Sequence, residues 1–285
     1  MPSSVKPGTL YIVGTPIGNL EDMTFRAVRI LQNVDLIAAE DTRHTGKLLQ
    51  HFQVKTPQIS YHDHNRFQRL GELLEKLHQG NAIALVTDAG MPGISDPGYE
   101  LVKACADANI NIIPIPGVSA SITGLSVSGL PTDRFIFEGF LPTKAKERQA
   151  KLEEFTRESR TIILYEAPHR VRQTLQDFVD SFGSEREIVL ARELTKIHEE
   201  IWRGTLGDAL LYYNEKEPKG EYTIILGGVA EIPLILSEDA IKAELQELLK
   251  QGLTRSQATR QLSQQTSLPR RQLYQLSLTL FEPEN

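Results

Sequence analysis

Three loops rich in glycine and proline carry the residues on which chemistry could be built. Asp88-Ala-Gly-Met-Pro-Gly-Ile-Ser-Asp-Pro-Gly follows an apolar run at residues 82–86. Gly14-Thr-Pro-Ile-Gly-Asn follows the run 9–13, and Pro116-Gly-Val-Ser-Ala-Ser follows 110–115. Glycine has no Cβ, so Gly90 and Gly93 let the main chain approach a ligand closely. The same composition would also serve an ordinary tight connection. Charged groups gather at two further points. Glu40-Asp-Thr-Arg-His follows the run 34–39, and Glu166-Ala-Pro-His-Arg follows 160–165. In the first of these, Asp41 or Thr42 would equally well cap the next helix. His62-Asp-His offers two imidazoles and a carboxylate, but no third and fourth metal ligand accompanies them. It reads as a polar loop facing a cleft, and no metal is expected.

Known phosphate-binding patterns are missing. There is no G-x-G-x-x-G, no G-x-x-x-x-G-K-[ST] and no G-x-S-x-G in the chain. Dinucleotide, P-loop and nucleophile-elbow chemistries are therefore disfavoured. Loops offering backbone donors and acceptors, with few charges aimed at phosphates, suit a neutral or zwitterionic nucleoside-type ligand.

The elements that must position these loops alternate. Strands are expected at 9–13, 34–39, 58–61, 82–86 and 110–115. Between them, Thr24 caps a helix reaching about residue 32, with Phe25, Val28 and Leu31 on its apolar face. Residues 66–79 form an amphipathic helix through Leu70, Leu73, Leu74 and Leu77, stopped by Gly80. Pro97 opens the helix after the central loop, and Asp96 is its cap. Ser119 or Ser121 caps a small-residue helix to about 128. Alternating β and α predicts a mostly parallel sheet with its ligand loops at the strands' carboxyl ends. Strands at 134–140, 160–165, 186–193, 197–205 and 222–226 follow with shorter connections, so the second sheet should be mixed. Helices are expected at 143–158, 168–181 and 206–213. The expected class is two α/β domains, 1–118 and 119–233, with the ligand cleft between them.

Residues 234–285 look separate. Ser237 caps a helix to Lys250, Gly252 ends it, and short helices at 254–265 and 269–280 flank a turn at 266–268. That is a helix-turn-helix-like appendix. It carries Arg255, Arg260, Arg270 and Arg271, with no acid between residues 251 and 280. A second basic stretch holds Lys144, Lys146, Arg148 and Lys151 against Glu147. Both lie on a chain of 285 residues with net charge −6, so basic charge is local. One cysteine, Cys105, excludes an intrachain disulfide. No apolar h-region opens the chain and no run approaches a membrane span, so a cytoplasmic protein is expected.

Taken in order, Gly14-Thr-Pro-Ile-Gly-Asn, the Asp88 loop, Pro116-Gly-Val-Ser-Ala, Tyr165-Glu-Ala-Pro-His-Arg and Lys219-Gly-Glu-Tyr-Thr resemble the tetrapyrrole methylase superfamily. These are S-adenosyl-L-methionine-dependent methyltransferases. Ala39-Glu-Asp-Thr-Arg, the Tyr165 motif and the arginine-bearing tail are similar to the branch that methylates 16S rRNA. The resemblance spans about residues 10–280. It implies methylation of a ribose 2′-hydroxyl of a decoding-centre cytidine, on the 30S subunit, by a homodimer. It places Pro16, Gly90, Met91, Ile94, Ser119 and Ala120 near the donor's amino-acid part. Tyr165, Glu166, Ala167, Leu194, Glu221 and Tyr222 would line its adenosine side. Ribose oxygen is a weak nucleophile while protonated, so a base or a polarising cation should assist. Glu40, Asp41, Glu166 and Glu221 are candidate bases; Arg43, Arg170 and Lys219 are candidate cations. Lys144, Lys146, Arg255, Arg260, Arg270 and Arg271 would join Arg43 and Arg170 in holding RNA. Methylation of a tetrapyrrole precursor is one rival, although such a substrate has no evident use for the basic tail. A non-enzymatic nucleic-acid-binding protein with a ligand-sensing α/β body is another.

Overall fold

The computed structural model describes residues 5–229, 237–266 and 268–280. Met1–Val229 and Ala230–Asn285 are separate compact units. The expected boundary at 233/234, the residues before Val5 and position 267 of the tail turn lie outside the described residues.

The first sheet is all parallel. Its strands are β1 (Thr9–Val13), β2 (Leu36–Ala39), β3 (Gln58–Ser60), β4 (Ile83–Val86) and β5 (Asn111–Ile115), in the order β3-β2-β4-β1-β5. The connecting helices are α1 (Phe25–Asn33), α2 (Thr42–His51), α3 (Arg66–His78) and α4 (Tyr99–Asp107). Period-two alternation sends side chains to opposite faces. Tyr11, Val13, Ile37, Ala39, Ala84 and Val86 pack with Ala27, Ile30 and Leu31 of α1 and Leu49 of α2. Leu10, Ile12, Ala38, Ile83 and Leu85 pack with Leu73 and Leu77 of α3 and Leu101 and Cys105 of α4. Burial on both faces is why the central strands β2 and β4 are apolar throughout rather than alternating.

Two local features differ from expectation. Phe25 is 97% exposed, and the buried stripe of α1 is Ala27, Ile30 and Leu31. Leu31 of the expected face is buried and Val28 packs against the same core, while Ala27 and Ile30 take the place of Phe25. Asp96 does not cap α4. The helix begins at Tyr99 with Gly98 as its N-cap. Gly98 has φ 152°, and a Cβ there would lie 2.9 Å from the nitrogen of Gly93. The loop closes on itself, delaying the helix by two residues and leaving Asp96 outside it.

The second sheet is mixed. Strands β6 (Phe135–Phe140), β7 (Thr161–Glu166), β8 (Glu187–Arg192), β9 (Glu200–Thr205) and β10 (Tyr222–Leu226) run in the order β6-β7-β10-β8-β9. Only the β6–β7 pair among them is parallel. Helices α6 (Ala145–Phe155), α7 (Val171–Phe182) and α8 (Leu206–Glu215) cover one face through Phe155, Phe178 and Tyr213. The other face takes α5 (Ala120–Ser128), whose Leu125 meets Ile163, Val189 and Ile225. The small residues of α5 serve this close packing: a Cβ on Gly124 would stand 3.0 Å from a methyl of Thr223.

The C-terminal unit holds α9 (Glu238–Lys250), α10 (Arg255–Gln265) and α11 (Arg270–Thr279). Ser237 caps α9 and Thr254 caps α10 in a reciprocal box with Gln257. Ile241, Leu245, Leu248, Ala258, Leu262 and Leu273 form its own small core.

Candidate active site

Strand order explains why the three glycine loops meet. β4, β1 and β5 are adjacent, so the loops after them leave the same edge of the sheet side by side. Thr15 and Gly90 exchange backbone hydrogen bonds at 2.9 and 3.1 Å, tying the first loop to the second. Gly14 and Gly117 touch main chain to main chain. A Cβ on Gly117 would lie 2.7 Å from Gly14 Cα, so only glycine permits the contact. The second sheet joins this assembly at two points. The hydroxyl of Tyr165, at the end of β7, accepts from the Ser121 N–H at 3.2 Å. Gly139, in the β6 bulge, sits against Ser95.

Between these parts lies a cavity of about 440 Å³. That is within the ~300–1,000 Å³ of small-molecule sites. Gly90, Met91, Ile94, Ser119, Ala120, Tyr165, Glu166, Ala167, Leu194, Glu221 and Tyr222 all face it. Pro16 does not; its neighbour Ile17 does. The lining is mostly apolar, with Asp96, Glu166, Glu221 and Lys196 as its charged groups.

Most of the anticipated catalytic groups are elsewhere or already engaged. Asp41 caps α2, accepting from the Arg43 N–H at 2.8 Å, and pairs with the Arg43 side chain at 2.6 Å. The bonds from Arg43 hold its carboxyl far below the usual range. Arg43 itself points to solvent, 88% exposed. Glu40 accepts from the Asp88 N–H at 3.2 Å, and Asp88 accepts from the Asp41 N–H at 3.2 Å. Burial raises the Glu40 pKa, the Asp88 N–H opposes this, and the charges of Asp88, Asp63 and Asp41 add to the rise. None of Glu40, Asp41, Arg43 or Lys219 lines the cavity. Lys219 is exposed beside Glu217. Glu221 pairs with Lys196 at 2.9 Å, and Lys196 also holds Glu193 at 2.8 Å.

Glu166 is buried and pinned. Its Oε2 accepts from the Thr174 hydroxyl at 2.6 Å, and its Oε1 from the Ala167 N–H at 3.0 Å. Arg170 lies 3.3 Å from Oε1 and donates to the Leu141 carbonyl at 2.7 Å. Thr174 in turn accepts from Arg148, whose Nε meets Asp177 at 2.6 Å. So Arg170 and Arg148 are internal struts rather than basic surface. Lys151 is tied to Glu138 and Glu154, and Lys144 to Glu147. Lys146, Arg260 and Arg271 are exposed, and Arg270 donates to Ser256. Arg255 is partly buried. Residues 62–64 do not line the cavity. Among the described residues, no group of three or more His, Cys, Asp or Glu is disposed to hold a metal.

Ser95, Asp96, Phe140, Ala191, Lys196 and Thr223 also line the cavity, beyond the residues expected from sequence. Asp96 had a signal, since it sits in the central loop, but Pro97 pointed to a helix start instead. Burial, with the charges of Glu40, Asp88 and Asp63, pushes its carboxyl up to about 7.

Comparison with known proteins matches residues 9–210 to the family model Tetrapyrrole (Corrin/Porphyrin) Methylases. The chain belongs to the tetrapyrrole methylase family. This family member is 62% identical to the Ribosomal RNA small subunit methyltransferase I of Synechocystis, over 96% of its own length and 98% of the relative's. It is 51% identical to the protein of that name from Escherichia coli O157:H7, over 82% and 83%. Its fold is shared with uroporphyrin-III-C-methyltransferase from Thermus thermophilus, at TM-score 0.54 and 21% identity, covering 77% and 94% of the two chains. Cobalt precorrin-4 methyltransferase aligns with TM-score 0.56 and 16% identity, covering 77% and 95%. Among the described residues of this tetrapyrrole methylase, no helix is long and apolar enough to cross a membrane.

Proposed function

We propose that this chain is an S-adenosyl-L-methionine-dependent methyltransferase of ribosomal RNA. Its target is a ribose 2′-hydroxyl of a cytidine in the decoding centre of 16S rRNA, presented by the 30S subunit in the cytoplasm. The observation that carries this reading is the cavity: glycine loops and apolar side chains, with few charges, in a chain 62% identical to a protein named as an rRNA methyltransferase.

The residues present fit a zwitterionic nucleoside. Main chain at Gly90 and Met91, with Ile94, Ser119 and Ala120, would hold the amino-acid part. Tyr165, Ala167, Leu194 and Tyr222 give an apolar bed for the adenosine, and Glu221 a hydrogen-bond acceptor at its rim. When bound, the donor supplies an electrophilic methyl on a sulfonium sulfur. The chain's own work is alignment and exclusion of water, and well-oriented reactants recover roughly 7–11 kcal/mol of barrier. Glu166, with Arg170, acts by holding the wall of the site in shape. Glu40, Asp41, Arg43 and Lys219 lie outside the donor cavity and act on the substrate, with the exposed Arg43 as a phosphate contact. Lys144, Lys146, Arg255, Arg260, Arg270 and Arg271 are the further RNA contacts. A homodimer is part of the proposal, supported by Phe25 and Ile197, which are 97% and 96% exposed. Sedimentation of Phe25→Glu and Ile197→Asp variants as monomers would agree with it; an unchanged mass for both would count against that surface.

The test is incubation with labelled S-adenosylmethionine and either undermethylated 30S subunits or free 16S RNA. Label at a ribose that becomes alkali-resistant is expected with 30S. Donor binding without label in either RNA would reject the reading. Label in a tetrapyrrole precursor instead would move the chain to the chemistry of its structural neighbours, and tight RNA binding without any turnover would favour a binding protein.

A further inference from the structure

We infer that Asp96 is the general base that takes the proton from the attacking ribose hydroxyl, an assignment that rests on the proposed 2′-O-methylation. Three observations carry it. First, Asp96 lines the cavity. Second, every other carboxylate around the site is engaged. Asp41 is held by Arg43. Both oxygens of Glu166 accept hydrogen bonds, and Glu221 is paired with Lys196. Glu40 and Asp88 each accept a backbone N–H. The Asp96 carboxylate alone in this set has neither a hydrogen bond nor an ion pair among the described residues. Third, it is kept in an environment that disfavours charge. Glu40 faces it from the end of β2, Asp63 from the end of β3 and Asp88 from the end of β4, all of its own sign. Lys196, Glu166 and Glu221 are the charged groups on the remaining cavity wall. A half-buried acid with acidic neighbours and no partner is a poor structural element and a good proton acceptor. Its pKa of about 7 matches a base working at neutral pH.

The step balances simply. The O–H bond of the 2′-hydroxyl breaks and its proton passes to an Asp96 carboxylate oxygen. The oxygen forms a bond to the methyl carbon as the sulfur–methyl bond breaks, and the sulfur keeps that electron pair. Asp96 then loses the proton to solvent.

The experiment uses the full chain, undermethylated 30S subunits and labelled S-adenosylmethionine. Single-turnover rates are followed across a pH range bracketing 7, with donor affinity measured by calorimetry. For wild type, the rate rises with pH through about 7 and levels off, because the deprotonated form is the base. Asp96→Asn lowers the plateau by about 100- to 10,000-fold and abolishes that inflection. Donor affinity stays within about twofold, which also reports that the variant is folded. Asp96→Glu restores part of the rate together with the inflection. An Asn variant whose rate stays within threefold of wild type would overturn the assignment. So would a loss fully explained by weaker donor binding, which would make Asp96 a ligand of the donor's ammonium. Wild type that binds donor yet places no label in ribose would instead reject the proposed function, and the base with it.

Discussion

Replacing Glu166 separates a structural carboxylate from a catalytic one. Glu166 ends β7 and is 2% exposed, and Thr174 is 1% exposed. The Thr174 hydroxyl donates to Glu166 and accepts from Arg148. Gln at 166 keeps one acceptor for the Ala167 N–H, but its amide turns a second donor on Thr174. The threonine proton then has no acceptor in a dry site, which costs about 1–3 kcal/mol. Arg170 loses its charged partner as well, so the sum for Glu166→Gln is about 2–4 kcal/mol. Glu166→Ala breaks the whole chain of contacts, at about 3–5 kcal/mol. At roughly 2–4 °C per kcal/mol for a unit of this size, the Gln variant melts about 5–15 °C lower. Urea and thermal unfolding of the full chain, followed by circular dichroism, measure this. Two variants that melt as wild type would refute the reasoning. A Gln variant that melts normally yet loses turnover would return Glu166 to the list of bases.

Other outcomes follow from the same geometry. Gly117→Ala drives a methyl to 2.7 Å from Gly14 Cα, so the unfolding free energy falls by about 1–3 kcal/mol. Donor affinity falls with them, because Ser119 and Ala120 hang from that loop; calorimetry reads both. The raised Asp96 pKa means the folded chain holds this proton more tightly than the unfolded chain, so its contribution to stability declines as pH rises from about 4 towards 7. Asp96→Asn should therefore gain stability over wild type at pH 8 but not at pH 4, in urea titrations at the two pH values. Lys146→Ala and Arg260→Ala should each reduce the salt dependence of RNA binding, by roughly 0.7 in log–log slope per lost phosphate contact. Arg148→Ala should lower the melting temperature instead, since Arg148 bonds Asp177 and Thr174.

Local signals were enough for the parts. Strands buried on both faces are largely apolar, so residues 9–13 and 82–86 were legible as the strands observed as β1 and β4. Thr24 and Ser237 announced helix starts, and Asp41 or Thr42 a third, because a capping oxygen acts within its own turn. The ordered glycine motifs gave the family and most of the cavity wall. What tertiary structure decided was adjacency. No local rule says that β4, β1 and β5 lie side by side, and that order alone brings the loops carrying Gly90, Thr15 and Ser119 together. Nor does charge in a sequence reveal its partner. Arg148 and Arg170 looked like an RNA surface and became internal struts, because Asp177 and the Leu141 carbonyl reach them from distant parts of the chain and Glu166 holds Arg170 from one turn away. Asp96 is the converse case. Its position before proline resembled a cap, but the loop closed at Gly98 and left the carboxylate facing the cavity with no hydrogen-bond or ion-pair partner among the described residues. Sequence sets the chemistry each residue carries; the long-range packing of strands sets which of those chemistries is free to act.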